Sequence, residues 1–464
     1  MSTALNLQKA PLYANTGYGP RFSVLEVGLA DKVAVIEPDL AFWALVRRDA
    51  LEESLAGSLI EAFYREEEAI RKEMDYLRFQ LKPSAVYFNP TERCNFNCGY
   101  CYLPEEMRLN GKTMTPDELC NALERLLAYF RGHMPEGVKP QVIFHGSEPM
   151  LARESVFAGI ERFGKDFHFG VQTNATLLDD EAIAFLTEHG IGIGISLDAP
   201  SADVADLTRK NWQGKGAWKQ VTEVLDKLVS YPAFNVITTV TKVNVHTLPA
   251  MVDFYHERQV PVVMFNPVRC TLQGGRDLKP DNAVLADFFF QALDRTYELY
   301  EKTGRKVTVA NFANVLAGVM GPTGRRLMCD ISPCGGGRCF FAVSAHGDMF
   351  PCSEFIGFPE YKGGNLYRDD PRKVVQSQPF LEVTGRKVEN IQPCATCAVK
   401  HFCGAPCPAE VKACSGSINA PSPYCEFYEE QVRYAFRVIG QGREEAYLWD
   451  NWQEETLESF NLAK

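Results

Sequence analysis

The sequence predicts an α/β protein in which a parallel sheet is covered by helices and followed by a cysteine-rich region. Three observations support this prediction. Apolar strand-like segments alternate with helix-like segments from residue 85 to about residue 265, as in parallel βα units. Each of these strands ends in a polar or glycine-containing motif. Ten of the fifteen cysteines then lie from Cys329 to Cys425, after the alternation has ended.

The strands and helices of the alternating region can be placed individually. Thr115 is an N-cap, Pro116 follows at the first helical position, and Glu118 completes a capping box. Strands are predicted at 85–88, 141–144, 167–171, 191–196, 236–240 and 262–265. Helices are predicted near 154–163, 179–188, 217–230, 247–258 and 282–302. Six βα units are too few for a closed barrel of eight strands.

Residues 1–83 precede this region and carry no chemical motif. A strand is predicted at 32–36, and an amphipathic helix from Leu51 to about Leu81, where apolar residues recur at helical spacing. Three convincing strands are not evident in this stretch. A helical extension packed on the main domain is therefore expected.

The length, net charge and hydropathy of the chain limit its number of domains, its partners and its cellular compartment. A chain of 464 residues is long enough for two or three domains. Its net charge of −11 argues against a nucleic-acid partner. No apolar run approaches the length of a membrane span, and no signal peptide is visible. A cytoplasmic protein is expected, in which thiols stay reduced and clustered cysteines bind metal.

Three cysteines form one short loop directly after the first predicted strand. Cys94, Cys98 and Cys101 are separated by three and by two residues. A structural zinc site has four protein ligands, whereas a [4Fe-4S] cluster with three protein ligands leaves one iron, the open iron, without a protein ligand. The open iron can chelate a small molecule. A zinc loop with a fourth ligand from elsewhere is the alternative.

This spacing, with Tyr100 just before the third cysteine, resembles the signature of the radical SAM superfamily. The resemblance implies that Cys94, Cys98 and Cys101 hold the catalytic cluster, whose open iron binds the amino and carboxylate groups of S-adenosylmethionine (SAM). It implies a partial (β/α)6 barrel over residues 84–305, open on one side to admit a large substrate. It also makes Tyr100 a candidate cofactor-binding residue.

Further motifs of that superfamily follow the later strands. His145 to Pro149 is similar to the GGEP motif, which implies that Gly146, Ser147 and Glu148 bind the SAM amino group. The segments 172–178 and 196–200 are similar to the QTNGTLL and SLDGP motifs of peptide-modifying members. By this resemblance Asn174 lines the pocket, and Ser196 and Arg209 contact the ribose and the carboxylate. The alternative for Arg209 is a solvated charge at a helix end.

The cysteines of the C-terminal region imply two sites of four thiolates, which chemistry alone allows to be zinc or [4Fe-4S]. Their order resembles the SPASM domain of radical SAM peptide maturases, expected here over residues 306–428 and followed by a helical tail at 429–464. The resemblance implies two auxiliary [4Fe-4S] clusters, the first on Cys334, Cys339, Cys352 and Cys407, the second on Cys394, Cys397, Cys403 and Cys425. The interval from Cys339 to Gly347 is shorter than usual, so Cys329 or Cys334 is left open as the outermost ligand.

The resemblance implies a radical SAM maturase that modifies a precursor peptide or protein and takes its electron from a flavodoxin- or ferredoxin-type reductant. Crosslink or thioether formation is favoured. Anaerobic sulfatase-maturating enzymes, which form formylglycine, have a general-base Asp where this chain has Ser353. Glu354 is the candidate catalytic replacement for it.

Three further alternatives stay open from the sequence. Some peptide-modifying members carry a leader-peptide recognition domain, with a three-stranded sheet, at the position of residues 1–83. An iron–sulfur electron carrier would need no SAM pocket. Radical chemistry on a small molecule would use the same cluster loop.

Overall fold

The computed structural model describes residues 12–13, 20–450 and 452. The strands are β1 Leu12–Tyr13, β2 Phe22–Leu25, β3 Lys32–Glu37, β4 Phe42–Arg47, β5 Ala85–Phe88, β6 Gln141–Phe144, β7 His168–Thr173, β8 Gly192–Ser196, β9 Phe234–Val240, β10 Val262–Pro267, β11 Thr308–Val309, β12 Phe340–Val343, β13 Asp348–Phe350 and β14 Gly364–Asn365.

The helices cover the main sheet and recur in the C-terminal region. They are α1 Leu51–Ala56, α2 Ser58–Asp75, α3 Glu105–Asn110, α4 Pro116–Arg131, α5 Arg153–Phe163, α6 Asp180–Glu188, α7 Ala202–Thr208, α8 Trp218–Lys227, α9 Leu248–Glu257, α10 Gln273–Asp277, α11 Asn282–Thr303, α12 Ala310–Met320, α13 Pro371–Val374, α14 Gln378–Thr384, α15 Lys400–Cys403, α16 Pro408–Ser415 and α17 Cys425–Gln441.

The main sheet runs in the order β11-β10-β9-β8-β7-β6-β5-β12-β13-β14. Strands β5 to β10 are the six predicted strands, and each pairs in parallel with the next. The α/β fold with a parallel sheet is therefore confirmed. Two strands that the sequence did not predict flank the six: β11 pairs with β10, and β12 pairs in parallel with β5. The sheet thus continues beyond residue 305, the expected end of the barrel.

Local sequence explains why these elements form. β6 is buried along its whole length, as expected for a parallel strand covered on both faces. The predicted capping box is present at the beginning of α4: Thr115 accepts a hydrogen bond from the Glu118 amide, and the Glu118 carboxylate accepts one from the Thr115 amide. All six parallel strands end at the same edge, which carries the polar motifs.

The N-terminal part differs from the prediction. A four-stranded antiparallel sheet, β1-β2-β3-β4, lies where a strand and a helical extension were expected and a three-stranded sheet was the alternative. On β3, Val33 and Val35 pack against α2, while Ala34 and Ile36 pack into the main core. Because both faces of the strand are buried, the sequence shows no alternation of apolar and polar residues, and the pattern of a sheet is hidden.

This small sheet is fixed to the C-terminal helices by polar contacts. Lys400 Nζ lies 2.5 Å from Asp39 Oδ1 and also donates to the carbonyl oxygen of Ala395. The Trp43 indole donates to the carbonyl oxygen of Val319 over 2.7 Å. Lys400 begins α15, which ends at Cys403, so Asp39 between β3 and β4 binds a side chain of the cysteine-rich region.

The expected helical tail is described only in part. Helix α17 ends at Gln441, and residues 451 and 453–464 lie outside the described part of the chain. Among the described helices, none combines the length and apolar character needed to cross a membrane.

Candidate functional site

A cavity of about 230 Å³ opens at the carboxyl ends of the parallel strands. The thiols of Cys94, Cys98 and Cys101 line it. The structure brings other predicted site residues to the same cavity, namely Tyr100, Gly146, Ser147, Asn174, Ser196, Arg209 and Glu354. Residues that are distant in sequence therefore share one site because parallel strands end at one edge of the sheet.

The cysteine loop is held by the segment that follows α7. The amide of Asn97 donates to the carbonyl oxygen of Lys210 over 2.7 Å, and the amide of Gly99 donates to that of Thr208 over 3.0 Å. The Trp212 indole donates to the carbonyl oxygen of Cys94 over 2.8 Å. This pairing carries Arg209 to the cavity wall.

Tyr100, Asp198 and Arg209 form a buried network beside the loop. The Tyr100 hydroxyl donates to Asp198 Oδ2 in a very short hydrogen bond. Arg209 Nη1 donates to the Tyr100 hydroxyl over 2.6 Å and lies 3.7 Å from Asp198 Oδ2. The Arg209 side chain is only 14% exposed. Arg209 therefore lines the cavity and is not a solvated charge at a helix end.

Burial and charge act in opposite directions on the loop thiols. Burial raises the pKa of Cys98 to about 11, while the guanidinium of Arg209 acts to lower it. Burial likewise raises the pKa of Cys94 to about 12. For Cys101, burial raises the pKa and the Arg108 guanidinium counteracts it most. Bound iron would complete the deprotonation, since a coordinating thiol loses its proton.

The motif after β6 builds one wall through its backbone. Gly146 has φ +102°, and a Cβ there would lie 2.1 Å from Asn89 Nδ2, so the position requires glycine. The Ser147 hydroxyl donates to the carbonyl oxygen of Glu92 over 2.7 Å. Glu148 is fully buried behind the wall, where its carboxylate accepts from Thr173 and from the Asn174 amide. The structure does not place the Glu148 carboxylate on the cavity surface.

Asn174 connects the end of β7 to the cysteine loop. Its Nδ2 donates to Asn95 Oδ1 over 2.8 Å, and its Oδ1 accepts from the Thr176 hydroxyl over 2.6 Å. Ser196 ends β8 and lines the cavity. These amide and hydroxyl groups can hydrogen-bond a ribose or an amino acid head group.

A second cavity of about 280 Å³ adjoins the first. The two share part of their lining, including His145, Gln172, Asn266, Arg269 and Glu354. The thiols that line the second cavity are those of Cys329, Cys334, Cys352 and Cys407. A molecule bound between the two cavities would therefore contact the loop thiols on one side and a second cysteine set on the other.

The structure places the candidate ligands of this second set differently. Cys339 does not line the cavity: it is fully buried in an apolar cluster with Leu77, Ala85 and Phe340, and its thiol has Cys334 as an electrostatic neighbour. The Cys329 thiol, which the sequence left open as a ligand, has Cys334, Cys352 and Cys407 as electrostatic neighbours. Cys339 immediately precedes β12, where its carbonyl oxygen accepts from the Ser84 amide and fixes it against the main sheet.

The remaining expected set comes together as predicted. The Cys403 thiol has Cys394, Cys397 and Cys425 as electrostatic neighbours. Among the described residues, no three histidine, cysteine or acidic side chains converge closely enough to hold one metal ion. Thiolates of a [4Fe-4S] cluster each bind a different iron, so they surround the cluster and need not converge on one point.

Buried arginines accompany each cysteine set, and the sequence analysis missed them. Arg108 donates to Asn97 Oδ1 over 2.8 Å behind the first loop. Arg386 is 3% exposed, and its electrostatic neighbours are thiols of both C-terminal sets: Cys334, Cys407, Cys394 and Cys403. Neither arginine lies in a motif, so the sequence offered no signal for either.

The shared wall of the two cavities carries three further groups. Arg269 lies 3.7 Å from Glu354 Oε1 and 3.7 Å from Glu410 Oε2. Burial raises the pKa of Glu354, and Arg269 acts to lower it. His145 is kept neutral because burial lowers its pKa to about 4, and its Nδ1 makes no hydrogen bond to the described residues. The wall therefore offers a carboxylate, a guanidinium and a neutral imidazole to a bound molecule.

Comparisons with known proteins identify the family of this chain. The family model of the radical SAM superfamily matches residues 88–255, and that of the SPASM iron–sulfur cluster-binding domain matches residues 334–398. An uncharacterized protein of Archaeoglobus fulgidus is 41% identical over 90% of this chain and 94% of its own length. A cysteine-type anaerobic sulfatase-maturating enzyme of Clostridium perfringens is 22% identical over 77% of this chain and 97% of its own length.

The fold is also similar to solved structures. The structure of native anSMEcpe with bound AdoMet and Cp18Cys peptide has a TM-score of 0.66 and 20% identity, and the match covers 78% of this chain and 99% of that one. Both family matches imply iron–sulfur clusters. This chain belongs to the radical SAM superfamily and carries an iron–sulfur cluster-binding SPASM domain.

Proposed function

We propose that this enzyme cleaves SAM reductively at the cavity of Cys94, Cys98 and Cys101 and uses the radical formed to modify a ribosomally made peptide or protein. The observation that carries the proposal is the shared lining of one cavity by three thiols, Arg209 and the polar ends of the strands. An electron carrier would need no such set of groups for an amino acid and a ribose. We expect the reaction to take place in the reducing cytoplasm.

The residues present fit the groups that this reaction needs. Three soft thiols suit a [4Fe-4S] cluster with one open iron, which when bound supplies the electron that breaks the sulfonium of SAM. Arg209 is placed to bind the SAM carboxylate, and Ser196 and Asn174 to bind its ribose. The backbone after β6 borders the amino group, while Glu148 supports this wall by fixing the start of the β7 loop.

The second cavity supports a substrate that reaches the radical from the SPASM side. Its lining is shared with the first cavity at Gln172, Asn266 and Arg269, so a substrate side chain would lie beside SAM. Cp18Cys peptide is bound in the solved structure of similar fold, which supports a peptide or protein substrate here. Crosslink or thioether formation remains the favoured outcome, because Ser353 is a weak base near neutral pH.

Sulfatase-type formylglycine formation is the second candidate. Glu354 lines both cavities, so a carboxylate is available close to the position where Ser353 replaces the expected Asp. Similarity to a sulfatase-maturating enzyme points in the same direction. For a cysteine target the product mass separates the two outcomes: a crosslink removes two hydrogen atoms, whereas formylglycine formation also exchanges the thiol sulfur for an aldehyde oxygen. For a serine target both reactions remove two hydrogen atoms, and reaction of the product with a hydrazide identifies the aldehyde.

The test is anaerobic incubation of the iron-reconstituted protein with SAM and dithionite, alone and with peptides. The peptides are those encoded next to this chain's gene and a sulfatase peptide. Release of 5′-deoxyadenosine is expected, together with a change in peptide mass. An electron carrier would release none. Cleavage of SAM without modification of any peptide would direct the search to small molecules.

Arg209 should contribute most of the affinity for the SAM carboxylate. We expect Arg209→Ala to weaken SAM binding by about 1.5–3 kcal/mol, the usual contribution of a charged hydrogen bond. The loss is measured by equilibrium binding of SAM. Arg209→Lys should recover only part of the affinity, because Lys lacks the planar guanidinium that can bind both carboxylate oxygens. Arg162→Ala, which removes an exposed arginine on α5, is the matched control. Unchanged affinity in Arg209→Ala would remove this residue from the SAM site.

Cys329 and Cys339 should behave differently when replaced. We propose that Cys329, Cys334, Cys352 and Cys407 hold the first auxiliary cluster. Cys329→Ala should then lose about four of about twelve irons per chain, while Cys339→Ala should keep them all. Iron and sulfide analysis after anaerobic reconstitution measures both. The reverse result would restore Cys339 as the ligand.

A further inference from the structure

A recess of about 380 Å³ lies on the other side of the cysteine loop from the SAM cavity. Asn95 and Phe96 of the loop line it, together with Trp212, Gln213 and Gln220. Gln213 and Gln220 are exposed, so the recess opens to solvent. No part of the proposed reaction described above uses this surface.

The wall between the recess and the thiols is thin. Phe96 lines both the recess and the cavity that holds the three thiols. Trp212 lines the recess, and its indole donates to the carbonyl oxygen of Cys94 over 2.8 Å. This surface therefore gives a protein bound in the recess a short path to the cluster ligands.

The segment beside the recess is basic, although the chain as a whole is acidic. Residues 209–222 contain four basic residues and no acidic residue, while the net charge of the chain is −11. Arg209 faces the SAM cavity, which leaves Lys210, Lys215 and Lys219. Among residues 20–450, the ion pairs that lysines form do not include these three. They involve Lys112, Lys227, Lys306, Lys362 and Lys400.

Of the two acidic residues that flank this segment, Asp206 and Glu223, the first is already engaged. Asp206 packs beneath Gly216, and its Oδ1 accepts from the amides of Ala217 and Trp218. Lys215 and Lys219 are exposed beside it. A positive patch on a negative protein attracts an acidic partner at long range and orients it on encounter.

We propose that this recess and the lysines 210, 215 and 219 form the docking surface for an acidic one-electron carrier protein of the flavodoxin class. The proposal rests on the proposed function, because reductive cleavage consumes one electron for each SAM. The reduced flavin of the carrier is oxidised by one electron, and the carbon–sulfur bond that breaks receives it, leaving methionine and the 5′-deoxyadenosyl radical.

The test compares two electron sources on the reconstituted enzyme. We expect K215E/K219E to form 5′-deoxyadenosine at the normal rate with dithionite, which needs no docking surface. With purified flavodoxin, photoreduced to its hydroquinone, the rate at low salt should fall about tenfold. Rising salt should shrink the difference, because exposed charges are screened. Anaerobic titration with oxidised flavodoxin should show weaker binding by the same variant.

The matched control is K165E/K302E, which reverses two exposed lysines on other parts of the surface. The same loss in that variant, or no loss in K215E/K219E, would overturn the docking surface. If the double variant does not fold, Lys215→Gln and Lys219→Gln are measured singly. An unchanged rate of flavodoxin-driven 5′-deoxyadenosine formation in both single variants would also overturn the docking surface. Absence of dithionite-driven cleavage in the unaltered protein would contradict the proposed function instead.

Discussion

Cys98→Ala should abolish the formation of 5′-deoxyadenosine. The three loop cysteines line one cavity with Arg209, and the proposed cluster has no other protein ligand in that loop. Two thiolates leave the cluster without its third anchor, so it should be lost on reconstitution. We expect iron to fall from about twelve to about eight per chain, and SAM cleavage with dithionite to fall below detection.

The matched control is Cys120→Ala. Cys120 is buried on α4 within the main apolar core and belongs to none of the three cysteine sets. Its replacement should keep all the iron and the full rate of SAM cleavage. Cleavage that survives in a folded Cys98→Ala protein, or about twelve irons in it, would contradict the assignment of the loop as the radical-generating site.

Much of the main domain could be predicted from the sequence because its signals are local. Strand and helix periodicities, a capping box and polar residues at strand ends each lie within a few positions of one another. They place the six strands along the chain, and the parallel arrangement then brings Ser147, Asn174 and Ser196 to one edge. The roles expected for these residues rest on the resemblance to the radical SAM superfamily, and the fold explains why the residues meet.

Features that depend on contacts between distant segments were missed. β12 joins the sheet beside β5 although more than two hundred residues separate the two strands. Strands β2 and β3 of the N-terminal sheet are buried on both faces, so they lack the alternation that identifies a surface sheet. Asp198 completes the Tyr100–Arg209 network only because the cysteine loop is folded against β8 and the segment after α7.

The choice between Cys329 and Cys339 shows the same limit. Four residues separate Cys329 from Cys334, and four separate Cys334 from Cys339. Spacing alone therefore cannot decide which neighbour joins Cys334 in a site. The proposal for Cys329 rests on the direction of the chain as it enters β12, which buries Cys339 among apolar side chains and leaves Cys329 at the cavity.

Loss of an auxiliary cysteine should separate SAM cleavage from substrate modification. Cys397 belongs to the set that comes together around Cys403, outside both cavities. We expect Cys397→Ala to lose about four irons and to stop modifying its peptide, while uncoupled release of 5′-deoxyadenosine continues. The physical reason is that the proposed cluster on the loop cysteines would generate the radical, whereas the electron left on the substrate would need an acceptor beyond the second cavity.

Folding has to be controlled, because metal binding and folding are coupled. Asp39 of the N-terminal sheet region pairs with Lys400, which lies between Cys397 and Cys403, so a disturbed domain should also change the unfolding midpoint. We therefore measure four quantities on the same sample: the thermal unfolding midpoint, the iron content, the 5′-deoxyadenosine released and the peptide mass. A midpoint close to that of the unaltered protein shows that the variant is folded. If a folded Cys397→Ala protein lacking about four irons still modified its peptide at the normal rate, this cluster would only stabilise the domain. The electron would then leave through the proposed first auxiliary cluster, whose cysteines line the second cavity: Cys329, Cys334, Cys352 and Cys407.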